Sequence, residues 1–131
     1  MDEVIEYDSE QYALTDQLYV QQTMRLYNYL EVSLIDCEGK TIHTWRLNVY
    51  GGPSGFEDIS VSPTGKVFAV FSSGNTGYEE DITYCAVLGL DQNKKLRQLY
   101  LHEEVGGSKY RSTYKAVVSW VQPEGFNVEW I

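Results

Sequence analysis

Hydrophobic and polar residues alternate with a period of two along much of the chain, which is the pattern of half-buried β-strands. The alternation is clearest from Tyr29 to Val49, where the charged turn at Glu38–Gly39 interrupts it. We therefore predict a β-hairpin over residues 29–49. The side chains on its apolar face are Leu30, Val32, Leu34, Trp45, Leu47 and Val49.

Residues 67–71 show a different pattern, because the sequence Val-Phe-Ala-Val-Phe is apolar at every position. A strand of this kind is covered on both faces, so we expect a second layer of structure beside it. Alternation returns in two further predicted hairpins. They are residues 82–90 with 96–102, and residues 116–121 with 126–131.

Residues 1–27 fit neither the strand period nor the helical period. A short helix after Ser9 and a strand through residues 18–22 both remain open. The glycine-rich run at residues 51–55 favours turns, and we expect it to be a crossover between two sheets or blades. The large apolar residues of the opening segment, at irregular spacing, are Tyr12, Leu14, Leu18, Tyr19 and Met24.

A turn of the form Pro-x-Gly stands between predicted strands at two places, residues 62–66 and 122–126. The first reads Ser-Pro-Thr-Gly-Lys and the second reads Gln-Pro-Glu-Gly-Phe. Together with the charged turns at 36–40 and 91–95, they resemble the sheet repeat of β-propeller proteins of the WD-repeat and TolB-like kinds. The resemblance implies blades of four antiparallel strands. Threonine replaces the aspartate that those families usually carry in the turn.

A closed propeller needs about four or more blades of about 40 to 60 residues each, and a chain of 131 residues holds fewer. The predicted fold class is therefore all-β with antiparallel sheets, either an incomplete propeller-like arc or a small β-sandwich, with about 8 to 10 strands. We expect a single domain, residues 1–131, because a hydrophobic fraction of 43% in a chain of this length supports one core.

The chain carries 19 acidic and 10 basic residues, a formal net charge of −9. A field of this sign repels nucleic acid and anionic membranes, and it raises the rate of association with a basic protein. No run of about 18 apolar residues occurs, and the start is acidic where a secretory signal is basic, so we expect a cytoplasmic protein. In that compartment Cys37 and Cys85 are expected as reduced thiols.

Motifs of known chemistry are missing from the sequence, including GxSxG, HExxH, GxGxxG and phosphate-binding glycine loops. His102 and Glu103 do not suit one metal ion, because neighbouring residues of a strand point to opposite faces. The acids at residues 79–81 lack the spacing of a calcium loop. We therefore expect no enzyme activity, no cofactor and no metal.

Acidic clusters beside tyrosines have the composition of a protein-binding surface. The function predicted first is therefore a protein-binding module, an acidic inhibitor that blocks the active cleft of a basic, nuclease-type partner. Its general character is similar to that of the immunity proteins that protect bacteria from nuclease toxins. The candidate partner-binding residues are Tyr78, Glu79, Glu80, Asp81, Tyr100, Glu103 and Glu104.

Two other functions remain open at this stage. One is a structural or assembly subunit that pairs with another chain through open sheet edges, since unpaired strand edges readily accept a further strand. The other is a small ligand-binding domain or enzyme, with a pocket that contains His43 or His102.

Overall fold

The computed structural model describes residues 6–25, 29–49, 53, 55–75, 81–106 and 115–131. All strand pairings in these ranges are antiparallel, so the predicted all-β class is confirmed. The same ranges contain no helix long and apolar enough to cross a bilayer. The eleven strands of this part of the chain are β1 (Glu6–Ala13), β2 (Leu18–Arg25), β3 (Tyr29–Asp36), β4 (Thr41–Asn48), β5 (Gly55–Phe56), β6 (Ser60–Val61), β7 (Val67–Asn75), β8 (Asp81–Leu90), β9 (Leu96–Gly106), β10 (Ala116–Val121) and β11 (Gly125–Trp130).

The strands form three sheets that lie in layers. The front sheet has the order β1-β2-β3-β4, so strands that follow one another in sequence are neighbours. The central sheet has the order β5-β7-β8-β9, and β6 also pairs with β7. The back hairpin consists of β10 and β11. Of the two predicted architectures, the face-to-face packing corresponds to the small sandwich, and the propeller resemblance stays a prediction.

The larger core lies between the front sheet and the central sheet. Burying each of its aliphatic or aromatic side chains contributes roughly 1.5 to 3 kcal/mol, so this layer supplies most of the hydrophobic stabilisation. From the central sheet, alternate residues of β7 and β8 enter it, namely Phe68, Val70, Ala86 and Leu88, all fully buried. From the front sheet it receives Val20, Leu30, Val32, Leu34 and Leu47.

A second, smaller core covers the opposite face of the central sheet. Val67, Ala69 and Val87 point into it. The back hairpin contributes partly buried side chains, among them Trp120 and Phe126. The prediction that residues 67–71 form a strand covered on both faces is therefore confirmed.

The three predicted hairpins are present as β3–β4, β8–β9 and β10–β11. Of the two alternatives left open for the opening segment, the structure has the strand, since residues 18–22 lie within β2. It does not have the helix after Ser9, because those residues belong to β1. The chain passes from the front to the central sheet between β4 and β5, as the glycine-rich run predicts; residues 50–52 and 54 of that connection lie outside the described ranges.

The turns of the first and second predicted hairpins have the same hydrogen bonds. A carboxylate oxygen of Asp36 accepts two backbone N–H groups at 2.9 Å each, and one of Asp91 does so at 2.8 and 3.0 Å. The backbone N–H of Lys95 is the main cause that holds the pKa of Asp91 below its ordinary value. Each turn has a residue of positive φ at the fourth position, Gly39 at 84° and Lys94 at 57°.

The turn between β6 and β7 depends on Gly65. Its φ is 74°, a conformation that side chains with a Cβ rarely adopt. A Cβ at this position would also overlap the backbone carbonyl oxygen of Leu14. Gly39 has a similar φ of 84° but open space around it. A substitution at Gly39 therefore tests backbone strain alone, whereas one at Gly65 tests backbone strain together with steric overlap.

We predict that Gly65→Ala lowers the free energy of unfolding by more than about 2 kcal/mol, because strain and overlap act together. The matched variant Gly39→Ala should lose only about 1 kcal/mol, from positive φ alone. Urea denaturation followed by tryptophan fluorescence measures both. Equal losses in the two variants would contradict the overlap with Leu14.

A polar network joins the front sheet to the segment between β5 and β6. Gln22 is fully buried, and its amide donates to the Tyr12 hydroxyl at 3.1 Å and to the Glu57 carbonyl oxygen at 2.8 Å. The Tyr12 hydroxyl donates in turn to Asp58 at 3.1 Å. Burial, followed by smaller effects of Asp58, raises the pKa of Tyr12 to about 12.

We predict that the free energy of unfolding falls as pH rises from about 10 to about 12. In this window the folded protein keeps the Tyr12 proton while the unfolded chain, with an ordinary tyrosine pKa of about 10, has lost it. Tyr12→Phe should flatten the decline, and Asp58→Asn should reduce it. Chemical denaturation at a series of pH values measures the slope, and an unchanged slope in Tyr12→Phe would contradict the assignment.

Candidate protein-binding edge

Strand β9 forms one edge of the central sheet and has 11 residues. On one side it pairs with β8; on the other it pairs with no strand of the described ranges. At its start, the Leu96 backbone N–H donates to His43 Nδ1 on β4 at 2.8 Å. The front and central sheets are therefore bonded together at Leu96, and the unpaired edge continues beyond that residue.

A β-bulge divides β9 into two parts. Val87 pairs with Tyr100 and Leu88 pairs with Gln98, so Leu99 is an extra residue. A bulge of this kind changes which face the following side chains occupy. Because of it, residues 100, 102 and 104 face the back hairpin, and residues 101, 103 and 105 face the side of the front sheet.

On the side of the back hairpin, β9 makes polar and aromatic contacts. The Trp130 indole N–H donates to the Tyr100 hydroxyl at 3.0 Å. The His102 ring lies 5.3 Å from the Trp130 ring, and its Nε2 lies 2.8 Å from a carboxylate oxygen of Glu104. Tyr100 also meets Phe126 edge to face, with 6.1 Å between ring centroids. These contacts fix β9 against β11.

On the opposite face, β9 has exposed apolar residues on either side of an acid. Leu101 is 43% exposed and Val105 is 41% exposed, with Glu103 between them on the same face. A groove of about 470 Å³ lies between this part of β9 and β4 of the front sheet. Its apolar lining includes Trp45, Leu47 and Leu101.

Glu103 makes no ion pair with any described residue. Arg46, which also borders the groove, is engaged elsewhere, with its guanidinium 4.6 Å from the centroid of the Tyr29 ring and 3.9 Å from Glu31. The carboxylate of Glu103 therefore stands in solvent between two exposed apolar side chains. Such an arrangement suits a partner that supplies both a cation and apolar contacts.

Four of the seven predicted partner-binding residues fall in the described ranges. Asp81 begins β8 and pairs with Gly106, so it lies on the same face as Glu104 and Tyr100. Glu103 lies on the other face. Tyr78, Glu79 and Glu80 lie outside the described residues.

The sequence analysis missed Leu101, Val105 and Trp45 at this edge. They belong to alternating strands, and alternation predicts burial, whereas Leu101 and Val105 extend past the cover that the front sheet gives. The expectation that His102 and Glu103 face opposite ways is confirmed, since His102 contacts Glu104 instead. Within the described ranges, no three His, Cys, Asp or Glu side chains come together as a metal site would require.

The two cysteines lie in different surroundings. Cys37 is exposed in the turn between β3 and β4, and Cys85 is buried in β8. Both are free thiols, as expected. Burial raises the pKa of the Cys85 thiol to about 12, which keeps it protonated and unreactive at neutral pH.

Comparison of the chain with protein-family models, curated proteins and solved structures found no match.

We predict that Tyr100→Phe lowers the free energy of unfolding by about 1 kcal/mol, because the Trp130 indole N–H loses its acceptor in a partly buried position. Tyr29→Phe is the matched control, since that ring has Arg46 over its face and keeps the contact without its hydroxyl. Urea denaturation measures both variants. Equal losses would contradict a specific role of the Tyr100 hydroxyl.

Proposed function

We propose that this chain is a protein-binding module that binds a basic partner protein along β9. The observation that carries the proposal is the edge of β9, which pairs with no strand of the described ranges. Along it Glu103, with no ion-pair partner among the described residues, lies between the exposed Leu101 and Val105. Apolar contact area supplies most of the affinity in such interfaces, and charge supplies orientation and specificity. The edge of β9 offers both an apolar contact area and a charge.

The charge of the whole chain favours the same kind of partner. A net charge of −9 attracts basic proteins over distances of about a Debye length, roughly 8 Å at physiological ionic strength. Glu104 and Asp81 extend the acidic surface from Glu103 to the other face of the central sheet. A basic partner that approaches the edge therefore meets carboxylates on both faces.

The specific form that we favour is a stoichiometric inhibitor of a nuclease-type toxin, acting in the bacterial cytoplasm as immunity proteins do. A nuclease binds its substrate through lysine and arginine side chains that contact phosphates. An acidic edge that contacts those side chains would block the cleft. Two features support this form: the net charge of the chain, and the exposed acidic and apolar side chains along β9.

We predict that the double variant Glu103→Lys/Glu104→Lys loses the partner, with affinity at least about tenfold lower. The matched control, Glu10→Lys/Glu38→Lys, makes the same change in net charge at exposed positions on β1 and in the turn between β3 and β4, and it should keep the partner. Each protein serves as bait at low salt in a lysate of the source organism, and bound proteins are identified by mass spectrometry. We expect the wild-type and control columns to capture a basic protein that the double-variant column does not retain.

Kinetics with the purified partner test the electrostatic part of the proposal. The association rate should fall steeply as salt rises, with a smaller change in the dissociation rate. If both charge-reversed baits retain the partner equally, binding is elsewhere on the surface. If no basic protein is captured by the wild type, the proposed function is wrong.

A further inference from the structure

We propose that the partner contributes an extended strand that pairs antiparallel with β9, with a lysine or arginine opposite Glu103 and apolar residues opposite Leu101 and Val105. This inference rests on the proposed function and specifies the kind of partner segment that the same edge takes. The occupant is a strand of another protein, and a second copy of this chain is the alternative that the test must exclude.

The backbone of β9 provides the first argument. A strand that pairs on one side only leaves alternate N–H and C=O groups free on the other, and these form hydrogen bonds with an added strand. The hydrogen bond from Leu96 to His43 already occupies the start of this edge. As far as the described residues show, the free part therefore runs from the bulge at Leu99 to Gly106, long enough for a segment of about seven residues.

The groove provides the second argument, because it accounts for the apolar positions. In an antiparallel pair, side chains directly opposite each other lie on the same face, about 4.5 to 5.5 Å apart. A side chain opposite Leu101 would therefore enter the groove of about 470 Å³ that Trp45 and Leu47 line. The groove offers apolar contacts through Trp45, Leu47 and Leu101. Polar groups of Arg46, Asn48 and Gln98 also line it.

Glu103 provides the third argument, because it determines which residue of the partner strand fits between the two apolar residues that lie opposite Leu101 and Val105. It lies on the same face as Leu101 and Val105 and has no ion pair within the described residues. A cation directly opposite stabilises such a pair, and another carboxylate there destabilises it. The complementary segment thus has the alternating pattern apolar, basic, apolar on one face.

The same register argument disfavours a second copy of this chain. If two β9 strands paired about Glu103, Leu101 would oppose Val105 of the copy, but Glu103 would oppose its own carboxylate. Moving the centre by one residue, to His102 or Glu104, places Glu103 opposite Leu101 or Val105. In all three of these registers the Glu103 carboxylate therefore lies opposite a like charge or an apolar side chain, and neither stabilises the pair.

Short peptides test the proposal directly. The first has the sequence Thr-Val-Thr-Lys-Thr-Val-Thr with blocked ends, and the second has glutamate in place of lysine. We expect the lysine peptide to bind the full chain with a Kd below about 1 mM and the glutamate peptide at least about tenfold more weakly. The variant Glu103→Lys should reverse this preference, which also shows that the variant is folded. Chemical-shift changes in ¹H–¹⁵N spectra measure the Kd values.

Backbone methylation distinguishes strand pairing from charge attraction alone. Two further lysine peptides carry N-methyl groups on alternate residues, one on each of the two possible sets. Strand pairing uses the N–H groups of one set only, so one peptide should lose binding and the other should keep it. Equal binding by both would overturn the added strand and leave the proposed function intact.

Two other outcomes overturn the inference. No binding of the lysine peptide does so, even where a basic protein is captured through Glu103 and Glu104. A dimer in sedimentation experiments that the Leu101→Lys variant abolishes would assign the edge to a second copy, because Leu101 opposes Val105 of the copy in the register centred on Glu103. The proposed function fails in a different experiment: it is wrong if the wild-type chain captures no basic protein from the lysate.

Discussion

Burial of the central sheet on both faces is the constraint on which the rest of the structure depends. β7 and β8 carry apolar side chains on each face, so neither the front sheet nor the back hairpin alone shields them from water. The two covering layers differ in size, with four strands in front and two behind. Cover is therefore complete over the middle of the sheet and incomplete over β9, where Leu101 and Val105 remain exposed.

The sequence was informative where a local pattern decides the structure, and uninformative where pairing between strands decides it. Alternation from Tyr29 to Val49 and the apolar run at residues 67–71 correctly predicted β3, β4 and the doubly covered β7. The hairpin of β1 and β2 could not be predicted from the sequence. β2 buries the polar Gln22 and Thr23, so its buried positions do not follow a hydrophobic pattern. The candidate acids were predicted, but the apolar residues beside them were not, since their exposure depends on how far the front sheet extends.

The two faces of β9 have separate roles. Tyr100, His102 and Glu104 contact the back hairpin or each other, and they fix the strand in place. Leu101, Glu103 and Val105 are exposed, and they give the edge its chemistry. Glu103 and Glu104 are adjacent in sequence, yet they serve different faces, so an acidic pair in a strand is not one cluster in space.

The bulge at Leu99 also affects how this edge could diverge during evolution. Substitutions change one side chain at a time, whereas losing or gaining one residue at the bulge exchanges the outward and inward sets from residue 100 onward. Such a step would present tyrosine, histidine and glutamate where leucine, glutamate and valine now lie, with β7 and β8 unchanged. Insertions and deletions at this position thus offer related chains a short route to a different set of side chains on this edge.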